Sequence, residues 1–595
     1  MRIEDYALIG DMHTAGLVAR DGSIDWLCVP RFDSPACFAA LLGGPQNGRW
    51  LLAPAGRRSC SARRYREDTL ILETTWDCDG GSVRVLDFMP QRGQAPDVVR
   101  IVEGVRGRVE MRSELMLRFD YGHVIPWLRH EDGQLGAIAG PDAAWLRTPV
   151  ELRTDAETHC TTAAFAVSAG DRVPFVLTWQ HSWLPRPDPV DAMAALTDTE
   201  RMWRDWMRGC AYRGGYDEAV RRSLLTLKAL TYAPTGGIVA APTTSLPERS
   251  GGTRNWDYRY CWLRDASFTL RALMSAGFDA EARAWRDWLL RAVAGHPRDL
   301  QIMYSVEGAR RLPEWTVDWL PGYENSLPVR VGNAASGQFQ LDVYGETLNC
   351  LHLARQVGLA ISEEAWDLQQ IMMDHLEGAW HQPDSGVWET RGPHRHFVHS
   401  KILAWVAADR MIQGVRTFDL NGDVERWQAL RERIHRDVCA HGYDPARNTF
   451  TQYYGSMGLD AALLLIPRLG FLPPHDPRVA GTVDAIVREL AEDGLLLRYR
   501  PDSNGVEGLP DSEGTFLACS FWLADALTLL GRRQEARQQF DRLLGLRNDV
   551  GLLAEEYDIT DRRQMGNFPQ AYSHVSIINT ATTLAQGQAE RAGSR

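Results

Sequence analysis

Two segments of this sequence set glutamates beside aromatic residues: Trp388-Glu389 in one, and Glu555-Glu556-Tyr557 in the other. Two carboxylates that face each other across an aromatic pocket are what glycoside hydrolysis needs, because one protonates the leaving oxygen while the other activates water or attacks the sugar. The alternative for each glutamate is a solvated loop residue or the partner of an arginine. Which alternative holds depends on whether the fold brings the two segments together.

Four other segments have the same density of tryptophan, tyrosine, arginine and polar residues. All six lie shortly before predicted helices: 255–265, 330–334, 386–392, 450–455, 497–502 and 554–558. In the first of them, Arg264 offers a fork of donors and Asp265 an acceptor, which suits adjacent sugar hydroxyls. The chain holds 21 tryptophans in 595 residues, and a tryptophan ring offers a sugar a flat apolar face, although core packing also uses such rings.

The elements that carry these segments show helical periodicity from residue 216 onward. The predicted helices span 216–232, 264–277, 279–294, 337–357, 362–378, 396–413, 421–437, 456–467, 479–491, 514–530, 533–547 and 570–588. The even-numbered helices begin about 60 residues apart, and a helix pair repeated six times predicts an all-α six-fold α/α barrel, or α/α toroid. An open solenoid is the alternative.

In such a barrel the loops at one end converge on one pocket. The sixth and twelfth helices are three pairs apart in a ring of six, so their entry loops would face each other. This arrangement predicts that Glu389 lies across the pocket from Glu555 and Glu556.

The first 190 residues alternate between apolar and polar residues, which predicts an all-β domain, an antiparallel β-sandwich. Asp21-Gly22 between two short alternating runs predicts a hairpin. Other predicted strands are 69–76, 83–89, 98–105, 109–119, 161–167 and 173–179. We therefore expect an N-terminal β-sandwich over 1–193, a linker helix within 194–215 that starts at a capping box around Thr197 and Glu200, and a catalytic barrel over 216–595.

Composition excludes several functional classes. The net charge of −12 argues against nucleic acid or an anionic membrane as the partner. The sequence contains no uninterrupted run of 18 apolar residues, so we expect no membrane-spanning helix. The N-terminus lacks the basic start and apolar core of a signal peptide, so we expect a cytoplasmic protein. The ten cysteines include no Cys-x-x-Cys pair and are expected to be reduced thiols. We expect no cofactor and no metal; the oligomeric state is open.

The segments that contain Arg264-Asp265, Trp388-Glu389, Arg498 and Glu555-Glu556 resemble glycoside hydrolase family 15, in its bacterial glucoamylase and trehalase-like form. The N-terminal run Gly22 to Asp33, together with Ile9-Gly10-Asp11, resembles the trehalase-like N-terminal domain of bacterial members. The resemblance covers nearly the whole chain. It implies a β-sandwich followed by a six-fold α/α barrel, and exo-acting hydrolysis of terminal α-glucosidic bonds with inversion, which releases β-glucose.

The resemblance also implies individual roles. Glu389 would be the general acid and Glu555 the general base, while Arg264 and Asp265 would hold the non-reducing glucose in subsite −1. Fungal members have a second acid directly after the general acid, whereas this chain has Thr390, so their contacts at that position do not carry over. The predicted substrate-binding residues are Trp262, Arg264, Asp265, Trp388, Lys401, Arg498 and Glu556.

The leading hypothesis is therefore an inverting exo-hydrolase of a small α-glucoside. Trehalose is slightly favoured, and malto- or isomalto-oligosaccharides follow. A disaccharide phosphorylase on a similar barrel is the enzymatic alternative, since phosphate would replace the base and its water; the presence of Glu555 argues against it. A non-catalytic sugar-binding protein is the third hypothesis, and it gives no reason for two facing carboxylates. In each case the partner is a small carbohydrate.

Overall fold

The computed structural model describes residues 1–56, 60–359, 362–500, 508 and 513–593. An antiparallel-sheet part comes first and a helical part follows, as predicted. The strands of the first part are β1 (Tyr6–Gly10), β2 (Ala15–Ala19), β3 (Ser23–Cys28), β4 (Ala36–Phe38), β5 (Arg49–Pro54), β6 (Ala62–Tyr65), β7 (Leu72–Cys78), β8 (Gly81–Phe88), β9 (Asp97–Met116), β10 (Trp127–Glu131), β11 (Gln134–Ala139), β12 (Asp142–Arg147), β13 (Arg153–Thr154), β14 (Thr161–Ser168) and β15 (Arg172–His181).

The long strand β9 organises this domain. Its first half pairs with β8 and β15, and its second half pairs with β5 and β14, so one strand connects two sets of strands. Two separate strands, 98–105 and 109–119, were predicted here, and that prediction is wrong. The glycines at 104 and 107 mimic a break in the sequence; in the structure they lie where the strand changes partners, and Gly107 has a φ of 65°.

The predicted hairpin around Asp21-Gly22 is confirmed, because β2 pairs antiparallel with β3 and Leu17 lies opposite Trp26. The strands β10 to β12, which pair in succession and then with β15, were not predicted. They are short and separated by tight turns, so their alternation was too brief to recognise.

A short turn, α1 (Phe119–Gly122), lies between β9 and β10, and its Asp120 and Tyr121 have left-handed backbone angles. The linker helix α2 follows β15 and spans Ala192–Met207. Its N-cap is Asp191, whose side chain accepts hydrogen bonds from two backbone amides of the first turn. The predicted capping box at Thr197 is therefore wrong: Thr197 lies inside the helix and its hydroxyl donates to the carbonyl of Met193. Aspartate is as good an N-cap as threonine, and Asp191 precedes Thr197, so the helix begins six residues earlier than predicted.

The helical part contains counterparts of all twelve predicted helices among the described residues. They are α3 (Asp217–Ala229), α4 (Ala266–Ser275), α5 (Asp279–Val293), α6 (Asp342–Gln356), α7 (Glu363–Ala379), α8 (Val398–Phe418), α9 (Val424–His441), α10 (Ile466–Leu469), α11 (Pro477–Leu490), α12 (Leu517–Leu529), α13 (Arg533–Leu544) and α14 (Ala571–Gly593).

The eighth helix differs from its prediction. It is a 3-10 turn, Ala461–Leu465, followed by the short α10. Pro467 explains the difference, because proline has no N–H to donate and is tolerated only in the first turn of an α-helix. The α-helix therefore begins only at Ile466.

The second helix of each predicted pair packs against the second helix of the next pair, and these contacts form a closed ring. Helix α6 packs against α4 and α8, and α8 contacts the Ala461–Leu465 turn. That turn packs against α12, α12 packs against α14, and α14 returns to α4. The loops that lead into these neighbouring elements are therefore expected to lie close to one another.

Short strands brace these loops and form, among the described residues, four antiparallel pairs and one three-stranded sheet. They are β16 (Cys261–Trp262), β17 (Met303–Tyr304), β18 (Trp315–Thr316), β19 (Arg330–Val331), β20 (Tyr443–Asp444), β21 (Thr449–Phe450), β22 (Ala491–Glu492), β23 (Leu495–Leu496), β24 (Thr515–Phe516), β25 (Glu556–Asp558) and β26 (Arg563–Met565). Among the described residues, no helix is both long and apolar enough to cross a membrane.

The hairpin glycine gives a stability prediction. Gly22 has a φ of 89°, and a Cβ added there would press on the Leu52 carbonyl oxygen and lie 3.3 Å from the Trp76 ring. Gly22→Ala should lower the free energy of unfolding by about 1–3 kcal/mol, since both the left-handed backbone and the contact are unfavourable. Urea denaturation measures this. Gly93→Ala is the control, because nothing lies within 4 Å of its added Cβ; an equal loss in both variants would contradict the argument.

Candidate active site

The loops before α4, α6, α8, α12 and α14 converge on one pocket. It contains most of the predicted site residues, and the segment 450–455 is absent from its lining. The lining residues are Ala240, Glu248, Arg254, Trp256, Tyr258, Trp262, Arg264, Asp265, Asn333, Val387, Trp388, Glu389, Thr390, Arg391, Arg498, Tyr499, Phe516, Glu555, Gln570 and Tyr572.

Glu389 lies in this pocket with a constrained backbone. Its φ is 58°, a left-handed conformation that costs a non-glycine residue about 1–3 kcal/mol. Its amide donates to the Gly386 carbonyl at 3.1 Å, and its carbonyl accepts from the Gln338 side chain at 3.1 Å. The turn directs the carboxylate toward Trp262, whose indole N–H donates to it at 2.7 Å. The side chain is thereby held in one orientation.

Glu555 is held by a tyrosine from a distant segment of the chain. The hydroxyl of Tyr258 donates to Glu555 Oε1 at 2.5 Å. The second oxygen, Oε2, is buried and has no hydrogen-bond partner among the described residues. Burial and the nearby Glu555 carboxylate raise the pKa of Tyr258 well above its ordinary value, so this hydroxyl remains a donor. One oxygen of Glu555 is thus held by a donor, and the other has none among the described residues.

A network of buried ions lies behind Glu555. Glu248, Glu513 and Glu556 bring carboxylate oxygens within 4.8 Å of one another, a spacing that a metal ion can bridge. Two guanidinium groups already lie in this cluster: Arg498 donates to Glu513 at 2.8 Å and to Glu248 at 2.9 Å, and Arg254 donates to Glu513 at 2.6 Å. The arginines therefore balance most of the negative charge.

The network acts on the protonation of Glu555. Burial raises the pKa of Glu555 the most, and the Glu248 and Glu513 carboxylates raise it further. The hydrogen bond from Tyr258 and the positive charge of Arg498 lower it. These opposing effects place the titration of this carboxyl above its ordinary range, so its charge depends on its neighbours.

Arg264 and Asp265, the residues predicted for subsite −1, line the same pocket as Glu389. The Arg264 guanidinium donates to the Val387 carbonyl and lies 3.3 Å from Glu389 Oε1. Asp265 Oδ1 lies 3.7 Å from Arg264 and has no hydrogen-bond partner among the described residues. Burial raises the pKa of Asp265 to about 6, against the lowering effect of Arg264. A buried acceptor without a partner is suited to a substrate hydroxyl.

Trp388 forms part of the pocket wall. Its indole N–H donates to Asp460 at 2.9 Å, and the Arg498 guanidinium lies over its ring at 5.5 Å from the centroid. The aromatic wall and the ion network are therefore joined at Arg498. The guanidinium is committed largely to Glu248 and Glu513, which qualifies its expected role as a direct contact to substrate hydroxyls.

Several predicted residues lie elsewhere. Lys401 is not in the pocket lining: its ammonium group donates to the carbonyls of Trp380 at 2.6 Å and Gln382, which satisfies the chain beyond the end of α7. Glu556 is also outside the lining and lies 3.7 Å from Arg498 in the ion network. Tyr454, in the segment 450–455, stacks with His396, and that segment is absent from the pocket lining. Residues 501 and 502, at the end of the segment 497–502, lie outside the described residues.

The structure adds residues that the sequence argument did not assign. Tyr258 lay within the segment 255–265, and its position four residues before Trp262 was the available signal. Glu248 and Arg254 precede that segment and belong to no motif that we recognised. Trp256 and Arg391 lie together at the pocket, with the guanidinium 4.7 Å from the ring centroid.

Comparison with known proteins agrees with this geometry. The model of the glycosyl hydrolases family 15 matches residues 214–582, which contain all the pocket-lining residues. The chain belongs to glycoside hydrolase family 15. The model of the trehalase-like N-terminal domain matches residues 1–183, so this family 15 glycosidase also has the N-terminal domain that the sequence resembles.

Curated relatives match all or part of this family 15 chain. The trehalase of Mycolicibacterium smegmatis is 38% identical, with 99% of this chain and 92% of the relative covered. The trehalase of Thermoplasma volcanium is 33% identical, with 99% and 94% covered. An isomaltose glucohydrolase of Kribbella flavida is 29% identical over 45% of this chain and 66% of that protein. A bacterial glucoamylase complexed with acarbose is 11% identical, with a TM-score of 0.70 over 99% of this chain and 94% of its own, and it supports the fold.

The ion network gives a prediction of pH dependence. Glu555 must be ionised to act as a base, so the acidic limb of kcat/KM should follow its titration. Tyr258→Phe removes a donor to the ionised form and should move this limb to higher pH by about one pH unit. Glu248→Gln removes a neighbouring negative charge and should move it to lower pH. A pH profile of kcat/KM for each variant measures both shifts.

The opposite signs make the test specific. A general loss of stability would change the pH profile of kcat/KM in the same way in both variants. The two substitutions instead shift the pKa of Glu555 in opposite directions. If both variants moved the acidic limb to the same side, Glu555 would not be the group that controls it.

Proposed function

We propose that this protein hydrolyses α,α-trehalose with inversion, using Glu389 as the general acid and Glu555 as the general base. The observation that carries the proposal is the pair of hydrogen bonds from Trp262 to Glu389 and from Tyr258 to Glu555, which fixes two carboxylates in one pocket. A sugar-binding protein without catalysis would have no use for that arrangement.

In the proposed reaction, Glu389 transfers its proton to the glycosidic oxygen as the bond from that oxygen to C1 breaks. A water molecule adds to C1 from the opposite face and gives its proton to Glu555. Glu555 Oε2 has no hydrogen-bond partner among the described residues, and we assign to it the acceptance of that proton. The Trp262 N–H and the Arg264 guanidinium, at 2.7 Å and 3.3 Å, then stabilise the negative charge left on Glu389.

The substrate proposal rests on extent of similarity. The trehalases of Mycolicibacterium smegmatis and Thermoplasma volcanium match both parts of this chain, at 38% and 33% identity, whereas the isomaltose glucohydrolase matches 45% of it. Subsite −1 does not distinguish trehalose from maltose, because both present the same non-reducing glucose to Arg264 and Asp265.

Discrimination must therefore come from the subsite for the second glucose. We assign it to Trp256 and Arg391, which lie in the pocket lining with Thr390. The guanidiniums of Arg330 and Arg391 lie 4.4 Å and 4.7 Å from the centroid of the Trp256 ring. An aromatic ring beside a donor-rich side chain suits a second pyranose. Lys401 lies outside the pocket lining and has no part in this subsite.

The same proposal includes the finer architecture. The strand pairs joined by β9 fit a β-sandwich over 1–193, and the closed succession of helices fits a six-fold α/α barrel over 216–595, with 194–215 as the linker. The convergence of five entry loops on one pocket supports this interpretation, because barrel loops meet at one end.

Substitution of the two carboxylates tests the mechanism. Glu389→Gln and Glu555→Gln should each lower kcat by about 10²–10⁴-fold, as expected for loss of a general acid or base, and the thermal unfolding midpoint should change little. Glu556→Gln is the adjacent control and should have a milder effect, because Glu556 lies outside the pocket lining. A nearly active Glu555→Gln variant beside an inactive Glu556→Gln variant would show that Glu556 is the base.

A substrate panel tests the specificity. We expect kcat/KM for trehalose to exceed that for maltose, isomaltose, maltotriose and soluble starch, because kcat/KM compares transition-state stabilisation directly. Faster turnover of long maltodextrins than of every disaccharide would make this a glucoamylase-type enzyme. Adding inorganic phosphate provides a further comparison: glucose 1-phosphate as the product would indicate a phosphorylase.

A further inference from the structure

One five-residue segment reaches both catalytic carboxylates. Tyr258 begins the segment and donates to Glu555 at 2.5 Å; Trp262 ends it and donates to Glu389 at 2.7 Å. The two rings also pack edge to face, with centroids 5.2 Å apart. Because both donors belong to the same short stretch of backbone, the position of that stretch sets where the acid and the base lie relative to each other.

Arg259 follows Tyr258 directly, and its side chain goes to the N-terminal domain instead of the pocket. It is fully buried. Its guanidinium donates to the Ser34 carbonyl at 2.8 Å and to the Tyr121 hydroxyl at 2.9 Å, and it contacts Cys28 Sγ at 3.5 Å. All three partners belong to the N-terminal domain, so the segment is fixed from behind by a different domain from the one that carries it.

Asp257 completes this anchor. Its two carboxylate oxygens accept from Nε and Nη2 of Arg259, at 2.8 Å and 2.7 Å, and neither side chain is exposed. The same carboxylate accepts the Gly332 amide at 3.0 Å, and Asn333, which follows, lines the pocket. The anchor therefore joins three parts of the molecule: the N-terminal domain, the segment 258–262 and the loop before α6.

We infer that Arg259 is a positioning residue through which the N-terminal domain sets the separation of Glu389 and Glu555. The inference rests on the proposed roles of these two glutamates. It gives the N-terminal domain a part in the chemical step, although none of its described residues lines the pocket. Arg264 is held separately by the Val387 carbonyl, so glucose binding should depend less on the anchor than catalysis does.

Arg259→Lys tests this in the full-length protein. Lysine retains the positive charge but lacks the planar fork that reaches Asp257, Ser34 and Tyr121 together. A misplacement of about 1 Å can lower a rate by about 10²-fold; we expect kcat to fall at least about tenfold, while KM changes by less than about threefold. Tyr121→Phe removes only one hydroxyl and should lower kcat in the same direction by a smaller factor.

Arg100→Lys is the matched control. Arg100 is also fully buried, pairs with a buried carboxylate, Asp87, at 2.6 Å, and donates to two backbone carbonyls at 2.7 Å, but all these partners lie within the N-terminal domain. It should lower the thermal unfolding midpoint about as much as Arg259→Lys does. Its kcat should nevertheless stay within about twofold of the unsubstituted protein, because it does not touch the segment 258–262.

The pH profile separates positioning from mere stability. If Arg259→Lys displaces Tyr258, the ionised form of Glu555 loses a donor and the acidic limb of kcat/KM moves to higher pH. The groups facing Glu555 also include Glu248, Glu513, Glu556 and Arg498, which remain in place in both variants. Arg100→Lys should leave the limb where it is.

Unchanged kcat in folded Arg259→Lys, or equal losses of kcat in the Arg259 and Arg100 variants, would overturn the inference. If Arg259→Lys does not fold, Tyr121→Phe decides, and an unaltered kcat in that variant counts against the anchor. Failure of the proposed mechanism is distinguishable, because it would leave Glu389→Gln or Glu555→Gln active whatever the Arg259 variants do.

Discussion

The structure depends on holding two carboxylates apart in one pocket while each keeps a fixed orientation. A carboxylate in an apolar site is costly unless a donor or an opposite charge reaches it. Trp262 and Tyr258 supply one donor each, and they stand at the two ends of one segment. The loops, the short strand pair β16–β17 and the buried Asp257–Arg259 pair all serve to keep that segment in place.

Burial of the base among other acids is the second constraint. Glu555 shares its surroundings with three more glutamates, and the Tyr258 hydroxyl and the Arg498 guanidinium favour its charged form. Removing one member of such a cluster leaves another buried charge without its partner. The arrangement therefore makes the protonation of Glu555 sensitive to residues that never touch the sugar, and it links the working pH range to Glu248 and Arg498.

Much of this could be predicted from the sequence, because helical periodicity, the repeat of about 60 residues and the Trp-Leu-Arg-Asp and Trp-Glu motifs are local signals. They gave the order of the helices and the loops that converge. Long-range pairing left no such signal: the bond from Tyr258 to Glu555 joins residues 297 positions apart, and Lys401 has its ammonium group bound to carbonyls of Trp380 and Gln382. The sequence predicted two strands in place of the continuous strand β9, because Gly104 and Gly107 resemble a turn when the neighbouring strands are unknown.

The stereochemistry of the products tests the central claim most directly. Inversion at one anomeric carbon of trehalose releases β-glucose from the attacked ring and leaves the departing glucose in its α form. Proton NMR of a rapid hydrolysis, recorded before the anomers equilibrate, should therefore show equal α- and β-glucose signals. Release of α-glucose alone would contradict the pairing of Glu389 as acid with Glu555 as the base that activates water.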